Sequence, residues 1–234
     1  MIDKVRFSNL CEQNGIFLDD VMLERFDIYA RLLVEWNEKM NLTAITEPRE
    51  IELKHFLDSL MLIKYYDLQN VSNAIDVGAG AGFPSIPILI YKPEIEFTLL
   101  DSLNKRLTFL SVVNSELGLN ANLVHSRAEV SGQEENYREK FDLAMARAVA
   151  PMNVLSEYCI PFVKEGGAFV ALKGSNDDVS EAGNAIEVLG GRLESNISYE
   201  LGGTEPRTIA VVRKISQTPT QYPRKSKKIS TKPL

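Results

Sequence analysis

The sequence predicts an open α/β fold: a mostly parallel seven-stranded sheet that closes on an antiparallel hairpin, preceded by a helical cap. Three observations carry this. The stretch Ala74 to Pro87, AIDVGAGAGFPSIP, reads as a buried strand running into a glycine turn and then a helix, whose first turn tolerates Pro84 because that position needs no intrahelical N–H. From Ala74 onward strand and helix patterns alternate, which implies parallel strands joined by right-handed crossovers. The last two predicted strands, Arg192 to Leu201 and Thr208 to Ile215, are separated only by GGTEPR. A parallel crossover needs about a dozen residues, so these two form a hairpin.

The elements follow in order. Residues 1–70 are helical in texture. Leu23, Phe26, Tyr29, Leu32, Leu33, Trp36 and Met40 recur at helical spacing behind the capping acids Asp19 and Asp20. Asn37 to Thr46 breaks the period, and a second helix opened by Thr46 and Pro48 carries His55, Phe56, Leu57, Leu60, Met61 and Ile63. This segment is expected to cap the sheet of the domain at 71–215. Strands follow at Ala74 to Val77, Glu96 to Leu100, Asn122 to Ser126, Phe141 to Ala146 and Ala168 to Leu172, ahead of the hairpin. Helices are predicted from Lys105 to Leu117, from Pro151 to about Val163 and from Asp177 to Leu189. Gly118 supplies a left-handed stop to the first of these. Beyond Ser216 the Thr-Pro, Tyr-Pro and Lys-Pro pairs predict an extended tail over 216–234.

Composition narrows the class. The 234 residues are 44% hydrophobic and 25% charged, enough for one large core. No apolar run is long enough to cross a bilayer and the N-terminus lacks a signal core, so a cytoplasmic protein without a membrane partner is expected. Cys11 and Cys159 lie far apart without metal-ligand spacing, which predicts reduced, packed thiols and no metal site. The net charge of −6 is unevenly spread. Eight basic residues follow Glu205, the last acid, whereas the rest of the chain holds 18 basic against 32 acidic residues. A basic tail on an acidic body suits a polyanionic partner; a merely solvated end is the plainer reading. The sequence leaves the oligomeric state open, with a monomer as the default.

In an open α/β sheet ligands lie outside the carboxyl ends of the strands, near the switch in strand order. That rule selects Asp76, Gly78 and Gly80 from the first strand and its turn, Asp101 from the second, Ala128 and Glu129 past the third, and Arg147 from the fourth. Phe83 either packs on a ligand or joins the helix–sheet core. Asp101 is placed to accept from ribose hydroxyls, against the plainer reading of a helix cap. Gly78, Gly80 and Gly82 have the spacing GxGxG, one place short of a dinucleotide fingerprint. The acid two residues ahead of them would repel a pyrophosphate and suits a cationic ligand.

DxGxGxG at Asp76 to Gly82 resembles the first motif of class I S-adenosylmethionine methyltransferases, a Rossmann-like fold. With HFLDS, DVGAGAGFPSIP, LLDSLNKRLTFL, SRAE, ARAVA and TPTQYPRK in order, the chain resembles the bacterial 16S rRNA (guanine-N7)-methyltransferase family, methyltransferase G, formerly glucose-inhibited division protein B. The resemblance implies cofactor contacts at Gly78, Phe83, Ala128–Glu129 and Arg147, with Asp101 on the ribose. It implies S-adenosyl-L-methionine as cofactor and 16S rRNA or the small subunit as partner. The tail departs from the family pattern after YPRK, at Ser226–Ile229. Arg224, Lys225, Lys227 and Lys228 are expected to meet phosphates.

Other acceptors would leave traces. Cytosine C5 methylation requires a cysteine nucleophile, but Cys159 falls inside a predicted helix. Exocyclic amine methylation typically shows Asp/Asn-Pro-Pro-aromatic after the fourth strand, where this chain has RAVA at 147–150. Guanine N7 has a free lone pair, so in-line attack needs no general base. No catalytic acid or base is therefore assigned, and His55 is read as packed or capping. A methyltransferase acting on a small molecule or protein, and a non-catalytic S-adenosylmethionine-binding module, are the competing readings. A nicotinamide-dependent dehydrogenase is disfavoured by the glycine spacing and the hairpin.

Overall fold

The computed structural model describes residues 1–147, 150–174 and 179–234. The sheet strands are β1 (Asn73–Val77), β2 (Glu96–Asp101), β3 (Asn122–His125), β4 (Phe141–Arg147), β5 (Val163–Gly174), β6 (Gly191–Leu201) and β7 (Glu205–Lys214). Their order is β3-β2-β1-β4-β5-β7-β6. β1 pairs in parallel with β2 and β4, β2 with β3, and β4 with β5. Only β7 runs antiparallel, to both β5 and β6. The strand order reverses between β1 and β4, so the ligand crevice should open where Val77 and Arg147 end their strands.

Helices α1 (Lys4–Glu12), α2 (Asp20–Met40), α3 (Pro48–Glu50) and α4 (Asp58–Tyr65) build the cap, with a π-helical segment, Ile51–Leu57, between the last two. Asp19 caps α2 by accepting from the Met22 N–H, as its position predicts. The next helix starts one residue later than expected. Glu47, rather than Thr46, is the cap, because its carboxylate reaches the N–H groups of both Arg49 and Glu50. Phe7, Phe26 and Phe56 meet at ring distances of 4.9 to 5.8 Å, and Tyr29 stacks on Phe56 at 5.4 Å. The buried Tyr29 hydroxyl donates to Ala81 O at 2.5 Å, so the cap core grips the glycine turn directly. Its own partner stripe, with Trp36 on Phe109, packs onto helix α6 (Asn104–Leu117).

Helix α5 (Ser85–Tyr91) follows the turn, and α7 (Ala128–Ser131) follows β3. After Pro151, α8 (Met152–Cys159) ends earlier than expected in a 3-10 turn, Ile160–Phe162. Pro161 supplies no N–H and so cannot extend it. β5 accordingly begins at Val163, not at Ala168. Gly167 makes that possible: a Cβ there would sit 2.6 Å from Asp142 O, so only glycine lets the strands approach across the register shift between Phe141 and Leu143. The predicted start of the next helix at Asp177 lies outside the described residues; a 3-10 turn, Val179–Ala182, and α9 (Gly183–Val188) cover its remainder.

The tail is held against the body and ends in α10 (Ser226–Thr231). Thr218, Tyr222 and Ile229 are buried. The Arg138 guanidinium donates to the carbonyls of Gly132, Thr218 and Tyr222. Arg224 pairs with the fully buried Glu157, whose Oε1 also accepts the Arg224 backbone N–H at 2.7 Å. The X-Pro pairs thus shape a packed strap instead of a free arm, and one of the four cations expected to meet phosphate is already committed to a carboxylate. Arg224→Ala, which leaves Glu157 buried without its cation, is expected to cost about 3 kcal/mol in urea unfolding.

Candidate active site

At the end of β1 the backbone of Gly78 and Ala79 donates to Leu100 O on β2, at 2.8 and 3.0 Å. Gly78, Gly80 and Gly82 then take φ of +77°, +60° and +93°, which side chains disfavour. At Gly82 a Cβ would also lie 2.5 Å from Ile86 and 2.9 Å from Leu110. Asp101, at the end of β2, braces this turn. Its Oδ2 accepts from Gly80 N at 2.9 Å and Arg106 Nη1 at 3.2 Å, and its Oδ1 accepts from Leu103 N at 2.8 Å.

Two cavities open above the turn. One, of about 410 Å³, is lined by Gly78, Gly80, Phe83, Asp101 and Arg147 together with Thr43 and His55 from the cap. The other, of about 170 Å³, is lined by Ala128, Glu129, Tyr158 and Ser226 and shares Gly78 and Asp101 with the first. They form one elongated cleft with the Asp101 carboxylate at its middle. The structure therefore brings seven of the eight residues selected from the sequence to one cleft. Asp76 is the exception among them. It lies behind the turn, fully buried, accepting from the Ser85 hydroxyl, while its Oδ1 has no partner among the described residues. Burial pushes the Asp76 carboxyl up to about 7, against the hydrogen bonds from Ser85.

The cap contributes what the sequence left unassigned. His55 stacks on Phe83 at 4.3 Å, and the Arg147 guanidinium lies 4.8 Å from the same ring centre. Arg147 Nη2 donates to His55 Nδ1 at 3.2 Å, so the Nε2–H of the neutral ring donates to Thr43 Oγ1 at 2.8 Å. Burial, then the nearby guanidinium, lower the His55 pKa to about 3. Arg147 Nη1 donates to Lys54 O and to Asp58 Oδ2, both at 3.1 Å. Phe83 thus satisfies both sequence readings: it joins the core and lines the cleft. Asp101 likewise braces the loop and faces the cleft, although the cap residue of α6 is Leu103. Among the missed residues, Thr43 lies in the break between Asn37 and Thr46, and His55 in HFLDS reads only as packed or capping. Tyr158 and Ser226 carried no signal, because their meeting at 3.1 Å depends on the folded tail.

A larger cavity, about 570 Å³, lies at the opposite ends of the strands among Tyr66, Asp142, Lys164, Glu194 and Arg213. Its charges pair with one another, Lys164 with Asp142 and Arg213 with Glu194. The smaller cleft has the position that strand order dictates. No group of three His, Cys, Asp or Glu among the described residues could hold a metal ion, and no helix of the described residues is long and apolar enough to cross a membrane.

This fold and this cleft define a class I S-adenosylmethionine-dependent methyltransferase. The cleft fits such a nucleoside: it has a wall of bare backbone at Gly78–Ala81, a carboxylate at its centre and an aromatic ring at one end. The model of the GidB family, rRNA small subunit methyltransferase G, matches residues 22–201. The chain is 49% identical over 238 residues to ribosomal RNA small subunit methyltransferase G of Alkaliphilus metalliredigens, covering all of both chains. It is 50% identical over 235 residues to the protein of that name from Brevibacillus brevis, covering 99% of each. The chain belongs to the rRNA small subunit methyltransferase G family. Among solved structures, one described for the conversion of a disulfide bond into a thioacetal group during echinomycin biosynthesis matches with a TM-score of 0.55 at 14% identity, over 67% of this chain and 81% of that one. Precorrin-6y C5,15-methyltransferase of Geobacter metallireducens matches with 0.50 at 18% identity, over 67% and 88%. These two share the fold.

The buried carboxyl of Asp76 gives a test with a definite sign. Between about pH 4 and 7 the folded chain holds a proton that the unfolded chain has lost, so this group's contribution to stability falls as pH rises through that interval and is constant above it. Asp76→Asn is expected to match the parent near pH 4 and to melt at least about 2 °C higher at pH 8, the shift that ~1 kcal/mol gives a domain of this size. Thermal unfolding at the two pH values measures it.

Proposed function

We propose that this chain methylates N7 of a guanine in 16S rRNA, acting in the cytoplasm on the RNA or on the assembling small subunit, by direct displacement without a general base. The observation that carries this reading is the state of His55, the one imidazole in the cleft. Both ring nitrogens are engaged, by Arg147 and by Thr43, and its pKa of about 3 keeps it neutral. It has neither a proton to give near neutral pH nor a free lone pair to take one. Cys159 is fully buried on α8 with its thiol pushed well above the usual range by burial, which disfavours a cytosine-type nucleophile. Ala148 and Val149, where an exocyclic-amine motif would begin, lie outside the described residues.

A site that moves no proton suits an acceptor that has none to lose. When bound, S-adenosylmethionine supplies an electrophilic methyl group. Gly78, Gly80, Asp101, Ala128 and Glu129 would hold it along the cleft, with Phe83 and Arg147 at the acceptor end. Asp76 would act from behind the turn by fixing the start of α5. The residues then contribute alignment and exclusion of water, effects that can reach about 7–11 kcal/mol in favourable cases. N7 lies on the deep, narrow groove edge of an RNA helix, so the guanine must come from a loop or an opened segment.

Two measurements test this reading. Borohydride/aniline mapping of rRNA is expected to show an N7-methylguanine in small-subunit rRNA of cells with the protein and none in cells without it. Label from S-adenosylmethionine appearing in protein or small molecules instead would overturn it. Lys225, Lys227 and Lys228 are exposed around Ser226 at the mouth of the cleft. Their joint replacement by Ala is expected to weaken RNA binding and to reduce the slope of log affinity against log salt by about two to three phosphate contacts; an unchanged slope removes the tail from the RNA interface.

A further inference from the structure

A further cavity, of about 340 Å³, adjoins the cofactor cleft and shares His55 and Arg147 with it. Four parts of the chain build it: Lys54, His55 and Asp58 from the π-helical segment and the start of α4, Arg147 from β4, Leu172 to Gly174 from the end of β5, and Tyr199 and Arg207 from the terminal hairpin. The hairpin is tied down there. Glu205 pairs with Lys54 at 3.4 Å, and a Cβ on Gly202 would lie 3.1 Å from Leu53. At the centre is the buried Asp58 carboxylate. Its Oδ2 takes Arg147 Nη1 at 3.1 Å, and its Oδ1 takes Arg207 Nε at 3.2 Å and the Tyr199 hydroxyl at 3.3 Å.

The balance of hydrogen-bonding capacity is one-sided. Asp58 Oδ1 already accepts twice, which fills it. Arg207 Nη1 is turned to Pro206 O and Glu205, while Nη2 has no hydrogen-bond partner among the described residues although the side chain is only 18% exposed. Lys54 Nζ faces Glu50 and Glu205 and keeps one proton. The cavity therefore offers donors beside an aromatic ring and asks for a flat ligand with an acceptor oxygen. Resting on the reading of the site given above, we propose that this cavity takes the acceptor base and that Arg207, oriented by Asp58, selects guanine by donating to its 6-carbonyl oxygen. Adenine carries a donor amine at that position and would leave the guanidinium unpaired and facing another donor, a mismatch of the kind that gives large discrimination. Donation to O6 also leaves the neighbouring N7 lone pair free. Asp58 is a positioning residue: it holds two arginines, Arg147 where the two cavities meet and Arg207 in this one.

The test uses the full-length protein, tritiated S-adenosylmethionine and small-subunit rRNA from cells lacking the enzyme, with guanosine, inosine and adenosine monophosphates as competing probes. For the parent, the guanosine and inosine nucleotides, which share the 6-carbonyl, are expected to compete with RNA, and the adenosine nucleotide is not. Arg207→Gln is expected to lower kcat/KM for rRNA at least about tenfold and to abolish the distinction among the three probes. Calorimetric affinity for S-adenosylhomocysteine should stay within about twofold, since Arg207 does not line that cleft. Arg207→Lys keeps a cation and a donor and should recover part of the loss. Unchanged kcat/KM and unchanged probe selectivity in Arg207→Gln would overturn the assignment while leaving the methyltransferase reading intact. Failure of the parent to bind S-adenosylhomocysteine would instead remove that reading itself.

Discussion

The guanidinium of Arg147 is the constraint on which the rest of the site depends. It ends β4 at the point where strand order reverses, and four groups hold it: the Phe83 ring face, the His55 ring nitrogen, Lys54 O and Asp58. Phe83 belongs to the glycine turn of the sheet domain; the other three belong to the cap. Burial lowers the Arg147 pKa and Asp58 raises it in return, so the cation is retained at a cost that only its full set of partners offsets. A methyltransferase sheet without the cap would leave this charge at a strand end with one ring for company. The N-terminal helices thus supply three of the four groups around Arg147. Their aromatic core ends in Tyr29, which reaches the carbonyl of Ala81 in the turn.

The π-helical segment and the residue that follows it deliver these groups. Lys54 and His55 lie within the segment, Asp58 comes directly after it, and all three line one cavity. Such windings are rare and cluster at functional sites, in keeping with their loss of regular hydrogen bonding. Here the segment supplies a backbone carbonyl, a ring nitrogen and a nearby carboxylate to a single arginine.

The parts of this molecule that were legible in the sequence are those set by local chemistry. The glycine turn, the acid at the end of β2, the short GGTEPR connection and the left-handed stop at Gly118 each follow from what one or two residue types can do. Gly118 does take φ of +61°, and Asn41, which no glycine pattern marked, ends α2 in the same way at +49°. The less legible features depend on residues far apart in the chain. Pro161 accounts for the stop of the helix, but that β5 begins at Val163 also needs the approach of Gly167 to Asp142, which no local pattern marks. Nothing in the tail's run of lysines and prolines announces that Arg224 will find Glu157. A basic segment reads as a solvated arm until a buried carboxylate 67 positions away is known to claim one of its charges.

That claim changes the meaning of the tail. A free basic arm contributes long-range attraction for a polyanion and little else. A strap fixed through Arg138, Lys214 and Arg224 brings Ser226 to Tyr158 at one end of the cleft, so the same segment that presents Lys225, Lys227 and Lys228 to solvent also lines the cleft. Cleft lining and exposed lysine surface then share a single segment. The hairpin does the corresponding work at the far end, where Tyr199 and Arg207 close the cavity beside Arg147. Two late segments of the chain, neither part of the parallel sheet, enclose the two ends of a site whose centre is the glycine turn. Divergence can therefore proceed in the tail and the hairpin without disturbing the turn, since the turn is braced from the other side by Asp101 and Tyr29.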